Sequence, residues 1–175
     1  SANAGSISTA NANSGGSIVF GNGTTAHSVG ALNVNNGGTL TFANTVANTI
    51  GALNILPGGT VNIGDGVTAG VGNAGASISN NQGTVVYNRP DDFTISGNIV
   101  TNFSTPQVNL GVIQKDGANT ITLSGTNTYG GGTFINSGGI QVGTGGTSGT
   151  IGNGPIGNQG ALVFNRSGTL TVPGI

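Results

Sequence analysis

The 175-residue chain holds 36 Gly but only three Lys or Arg and four Asp or Glu, for a net charge of −1. So little positive charge excludes a footprint for nucleic acid, whose phosphates require clustered Lys or Arg, and a polybasic membrane patch. No apolar run nears the ~20 residues that span a bilayer, and the absence of Cys removes disulfides and thiolate metal sites.

High Gly with low charge can mean disorder, but here the apolar residues sit in short alternating runs bounded by Gly and Asn. Glu is absent, Lys appears once, and no Gly-free window carries apolar residues at helical spacing, so the fold is expected to be all-β. Residues 1–16 are Ala, Asn, Ser and Gly with one Ile and one Thr, a weak first coil or a frayed end. Ser17–Phe20 is the first clear strand, and 21–29 is a connector holding the only histidine, His27.

From residue 29 to residue 71 the chain nearly repeats itself. Val29-Gly30-Ala31-Leu32-Asn33-Val34 returns as Ile50-Gly51-Ala52-Leu53-Asn54-Ile55, and Thr39 returns as Thr60, both at a step of 21. Each copy reads as a strand, a Gly-rich corner, a second strand and a short third side (46–50, then 67–71). Three sides at a fixed period of this size describe a β-solenoid, in which each rung buries its apolar face by stacking on the next. At about 21 residues per rung the chain supplies roughly eight rungs, or about 40 Å of rod at ~4.8 Å per rung. In that register Leu32 stacks on Leu53, Phe42 on Ile63, Asn33 on Asn54 and Asn44 on Asp65, with the Asn side chains able to hydrogen-bond along the rod.

From Ala74 the beat loosens and a longer one enters. Gln82-Gly83-Thr84-Val85-Val86-Tyr87-Asn88-Arg89 returns as Gln159-Gly160-Ala161-Leu162-Val163-Phe164-Asn165-Arg166, 77 residues on, and 93–99 corresponds to 170–175. The expectation is one β-helix segment, 1–175, of a larger processed protein, with regular rungs over 17–73 and a second repeat class over 74–175 that stops partway through a second copy.

Between the two copies runs Lys115-Asp116-Gly117-Ala118-Asn119-Thr120-Ile121-Thr122-Leu123-Ser124-Gly125-Thr126-Asn127-Thr128-Tyr129-Gly130-Gly131-Gly132-Thr133-Phe134-Ile135, continuing through Gly138-Gly139-Ile140-Gln141-Val142-Gly143. This stretch, with its continuation to about residue 172, resembles the passenger-associated repeat of autotransporter proteins. The ordered Leu-Ser-Gly-x-Asn-Thr-Tyr followed by Gly-Gly-Thr carries the likeness. The departures are Ala118-Asn119 at the second Gly, Gly130 where Thr is common, and Ile140 for Leu. The resemblance implies a right-handed parallel β-helix passenger, exported and displayed at the bacterial cell surface or outer membrane, or released from it. It also implies an outer-membrane barrel on the same polypeptide. A chain without thiols suits that export route.

Candidate chemistry is sparse. Gly70-Val71-Gly72-Asn73-Ala74-Gly75 spells a dinucleotide fingerprint, but a strand and turn follow it where a helix is required. A lyase or hydrolase of the β-helix class needs converging carboxylates, and Arg89-Pro90-Asp91-Asp92 is the one dense charged spot, readable as a weak cation site or as a solvated turn with a local ion pair. Asp65 could join it only from a neighbouring rung. His27 is alone and reads as a surface connector residue rather than a triad member. Tyr87, Tyr129, Phe103 and Phe134 could stack sugars but are read as core or edge packing. Asn22, Asn102 and Asn165 head glycosylation sequons that an Asn- and Thr-rich chain generates by chance.

No catalytic, cofactor-binding or metal-ligating residue is assigned, and no cofactor. The function that fits is a rod segment of an adhesin-like passenger, acting in adhesion, self-association or as a stalk. Its partners would be a host-cell or neighbouring bacterial surface, protein or glycan, or other rods through faces or ends, with no nucleic acid. The alternative is a polysaccharide-degrading β-helix enzyme. A lesser one is an ice-binding solenoid built on Thr39-x-Thr41, Thr120-x-Thr122 and Thr169-x-Thr171.

Overall fold

The structure, a computed structural model, describes residues 6–21, 26–46, 48–67, 77–78, 80–101 and 111–172. Alternation in the sequence becomes strand throughout. The strands are β1 (Ser6–Ala12), β2 (Ser17–Phe20), β3 (Ser28–Val34), β4 (Thr39–Phe42), β5 (Thr49–Ile55), β6 (Thr60–Ile63), β7 (Asn80–Asn81), β8 (Thr84–Asn88), β9 (Phe93–Ile95), β10 (Val112–Asp116), β11 (Thr120–Leu123), β12 (Gly132–Ile135), β13 (Gly139–Val142), β14 (Ile156–Asn158) and β15 (Ala161–Phe164). Every strand pairing is parallel, and the strands collect into three sheets. The first sheet stacks β1, β3, β5 and β7. The long middle sheet stacks β2, β4, β6, β8, β10, β12 and β14. The third stacks β9, β11, β13 and β15.

This is a parallel β-solenoid with no helix among the described residues. The seven strands of the middle sheet make about six turns, fewer than the eight rungs expected. The reason lies in the steps. Ser17 pairs with Thr39 at 22 residues and Thr39 with Thr60 at 21, but Thr60 pairs with Thr84 at 24 and Thr84 with Val112 at 28. The longer steps use up the chain faster than a constant 21 allows, and the middle sheet begins only at Ser17 and ends at Asn158. At ~4.8 Å per step the seven stacked strands extend about 30 Å.

The predicted register of the first half is observed. Ala31 faces Ala52, Leu32 faces Leu53, and Phe42 faces Ile63. The strands β3 and β5 begin three residues earlier than Ala31 and Ala52, so Ile50 belongs to the first sheet rather than to a separate third side. Val67, assigned to that side, is 84 % exposed, and residues 68–76 lie outside the described residues. Inside the rod, apolar columns run along the axis: Ala12–Val34–Ile55, Leu32–Leu53 and Phe20–Phe42–Ile63–Tyr87, all buried. The Phe20 and Phe42 rings lie nearly parallel, 5.2 Å apart. Such in-register columns bury apolar surface at roughly 25 cal/mol per Å², and only stacked neighbours supply the cover.

The 77-residue likeness does not mark equivalent places on the rod. The first copy forms β8 in the middle sheet, whereas the second forms β15 in the third sheet. What recurs is a Gly-corner, strand and Asn-Arg corner, a local unit that suits more than one side.

Candidate functional site: a polar corner between the middle and third sheets

Five of the seven charged residues, Arg89, Asp91, Asp92, Lys115 and Asp116, fall at two stacked corners that carry the chain from β8 to β9 and from β10 to β11. Lys115 sets the geometry. On β10 it alternates inward with Ile113, and its strand neighbours are Tyr87 and Ile135. Its side chain is 0 % exposed. The ammonium has three N–H donors and meets three acceptors: the Asp116 carbonyl at 2.5 Å, the Gly117 carbonyl at 2.8 Å and Asn119 Oδ1 at 2.8 Å. Gly117, at φ +80°, takes a left-handed conformation that lets the corner wrap the ammonium. Burial lowers the Lys115 pKa, opposed by the nearby charges of Asp116 and Asp92.

Asn119 joins this corner to the one below. While its Oδ1 accepts from Lys115, its Nδ2 donates to the Asp91 carbonyl at 2.5 Å. Asp92 Oδ1 accepts from the Thr120 amide at 2.7 Å. Arg89, only 4 % exposed, grips Asp91 with two bonds, Nε to Oδ1 at 3.0 Å and Nη2 to Oδ2 at 2.7 Å. Its guanidinium lies 4.2 Å from the Phe93 ring centroid. The predicted local ion pair is therefore present, but its cation is buried rather than solvated. Asp116 accepts from Gln114 of its own strand and Asn136 of the next rung, both at 2.8 Å. Arg89 and Lys115 thus brace their own corners, while Asp92 and Asp116 accept bonds from the next rung. Both oxygens of Asp91 and of Asp116 are engaged, which leaves neither carboxylate placed as a free base.

The residues that follow do the same work on the side of the rod beyond the third sheet. Asn127 is buried and reaches three rungs: its Oδ1 accepts from the Ile99 amide at 2.9 Å, and its Nδ2 donates to the Thr150 carbonyl at 2.6 Å. Tyr129 is fully buried, with its hydroxyl 2.9 Å from Thr133 Oγ1. Gly152 packs so closely on Tyr129 that an added Cβ would lie 2.4 Å from its ring. Burial pushes the Tyr129 phenol up to about 12, and burial raises that of Tyr87 as well. Lys115, Asn119 and Asn127 were given no role from sequence. The parity of Lys115 with Ile113 was the available sign that it points inward.

The other candidates disperse. His27 is half-buried against Phe20, ring centroids 5.5 Å apart, rather than on the surface. Asp65 is exposed and accepts from the Val67 amide at 3.0 Å, while buried Asn44 donates to the Val46 carbonyl at 2.7 Å. Tyr87 and Tyr129 are core, and Phe134 is 38 % exposed. Phe103, Asn22, Asn102 and the 70–75 glycine run lie outside the described residues. The Thr pairs offered for ice lie on different sheets, Thr39 and Thr41 on the middle one and Thr120 and Thr122 on the third, so they form no single array. Among the described residues, no three His or Asp side chains gather as a metal group.

The Asn ladder forms on the first sheet. Asn54 Nδ2 donates to Asn33 Oδ1 at 2.9 Å, and Asn33 Nδ2 donates to Asn11 Oδ1 at 2.8 Å. Beside it, Asn35 Nδ2 donates to Asn13 Oδ1 at 2.7 Å.

Comparison with known proteins agrees with this geometry. A family model described as passenger-associated-transport-repeat matches residues 113–142, the stretch from β10 to the end of β13. A 63-residue stretch, 36 % of this chain, is 40 % identical to the adhesin BmaC autotransporter of Brucella suis biovar 1 (strain 1330). The match spans 2 % of that relative's length. No solved structure matches the chain. Residues 113–142, whose Asn119 and Asn127 bond to neighbouring rungs, are an autotransporter passenger repeat.

Proposed function

We propose that this chain is a rod segment of an exported adhesin-like passenger, displayed at a bacterial surface, where it carries adhesive elements away from the cell or contacts other surfaces itself. The observation that carries the reading is a passenger repeat set within continuous parallel stacking, whose buried charges brace their own corners while Asn119, Asp92 and Asp116 bond from rung to rung. A matched relative is named an adhesin, which favours adhesion over catalysis. The exterior strand positions are mostly Thr, Asn, Ser, Gln and Val, a surface suited to extended contact rather than to a reaction centre. On this reading the rod belongs to a longer polypeptide with its own outer-membrane barrel.

The test is a display experiment. Bacteria presenting the whole passenger are compared with bacteria presenting it without these residues, for attachment to host cells and for cell–cell aggregation. Reduced attachment or aggregation is expected. Equal behaviour in both assays overturns the proposal.

A further inference from the structure

One aromatic ring stands outside the rod where the alternation of a well-paired strand places it. On β12, Thr133 and Ile135 point inward and are buried, and Phe134 between them points out, 38 % exposed. Phe164 is exposed as well, but it lies on β15, at the end of its sheet. β12 is paired on both sides, with β10 and β14, so the exposure of Phe134 belongs to the sheet face and not to an uncovered end. The ring lies over two glycines. A Cβ on Gly157, its partner on β14, would come 2.8 Å from ring atom Cδ1, and a Cβ on Gly132 would come 3.2 Å from Cε2. Opposite edges of the ring thus rest where the sheet has no side chain, which lays one face of the ring toward the backbone and turns the other to solvent.

Beside the ring the same face is polar. Gln114 is its partner on β10, and Asp116 and exposed Asn136 take the next outward positions along the two rungs. Gln114 Nε2 donates to Asp116 Oδ2 and Asn136 Nδ2 to Asp116 Oδ1, both at 2.8 Å. These bonds hold the three side chains in place without exhausting them. A carboxylate has about four acceptor positions, and each amide keeps a second N–H and its oxygen. The four residues mark a patch of about 4.8 Å by 6.6 Å, one strand spacing by two residues, the scale of a single sugar ring. Of the charged residues in the middle-sheet strands, Lys115 points inward and Asp116 outward, so the patch carries a lone negative charge.

We propose that Gln114, Asp116, Phe134 and Asn136 form a binding site for one neutral pyranose unit of a glycan. A sugar with equatorial hydroxyls carries its axial C–H groups on its faces, and such an apolar face covers the Phe134 ring. Its hydroxyls then donate to Asp116 and exchange bonds with the two amides. The carboxylate, with no cation beside it on this face, repels uronates and sialylated or sulfated glycans. The site is open rather than concave, so a single unit binds in the millimolar range, and many rods side by side multiply the hold. Its service in adhesion rests on the surface display proposed above, whereas the site itself is a property of the isolated chain.

The test is saturation-transfer NMR on the 175-residue chain with two matched probes, methyl β-D-glucopyranoside and its C6 carboxylate, methyl β-D-glucuronide. Transfer to the ring protons of the glucoside is expected, with clearly weaker transfer to the glucuronide. F134L keeps apolar bulk without the ring and should weaken binding of the glucoside about tenfold. F134Y should retain it, and F164L, on the third sheet, should leave it unchanged. Circular dichroism identical to the parent fixes the fold of each variant. No transfer from the parent chain, transfer that survives F134L, or transfer as strong to the glucuronide overturns the site. Sugar binding with a failed display experiment leaves the site and removes the adhesin-like reading; no sugar binding with reduced attachment on deletion does the reverse.

Discussion

At the scale of the residue, Lys115 shows how a charge can be structural. A strand reading Val-Ile-Gln-Lys-Asp looks solvated at its polar end, and its lysine was legible only as part of a repeat pattern. Its burial follows from what lies on either side, Tyr87 below and Ile135 above, which no local window reveals. Replacing it by Met keeps the stem's volume but strands two carbonyls and Asn119 Oδ1. Unsatisfied buried acceptors cost about 1–3 kcal/mol each, partly relieved by water, so K115M should lose about 2–4 kcal/mol of stability in urea denaturation.

The two tyrosines give the pH behaviour. Tyr129 holds its proton to about 12 when folded but only to the ordinary 10.0 when unfolded, and Tyr87 shifts in the same direction. The stability this represents is whole below pH 10 and drains away between pH 10 and 12, as the unfolded chain releases protons that the folded chain keeps. Lys115 acts oppositely and only below its ordinary 10.5, so it adds a small gain with rising pH before the tyrosines take over. Tyrosinate absorbance should therefore rise together with the loss of β circular dichroism. Tyrosinate forming near pH 10 with the fold intact would contradict the burial of both rings.

At the scale of the element, register was legible where corners have equal length. Ala31 on Ala52 and Thr39 on Thr60 could be read from spacing because nothing is inserted between their rungs. The same logic failed for 82–89 against 159–166, since a strand with its corner says nothing about which side of the rod it occupies. In sequence the departure Ala118-Asn119 from the family pattern had no assigned role. Instead Asn119 supplies both the third acceptor for Lys115 and the bond to Asp91. Close approach explains a glycine that spacing left unremarked. G152A would press a methyl to 2.4 Å from the Tyr129 ring and carbonyl, an overpacking that costs about 1–3 kcal/mol. Thermal melting of G152A beside Y129F separates that clash from the loss of the bond to Thr133, which should cost about 1 kcal/mol.

At the scale of the whole molecule, the rod is a line of neighbours, and the uneven steps between paired strands have a mechanical consequence. Hydrogen bonds between rungs run along the axis, so tension applied to the two ends opens rungs one after another rather than shearing the rod as a unit. Each opening releases a loop of 20 to 28 residues, from Val112–Gly132 at the short end to Thr84–Val112 at the long. That is about 70 to 95 Å of extended chain per event. In an optical trap, stretching should give steps of unequal length. The highest force should fall at the rungs joined by Asn119 and Asp92, and K115M, which frees the Asn119 side chain, should lower that peak alone. A surface fibre built this way would lengthen under flow by yielding at its plain rungs first, while the charged corner holds.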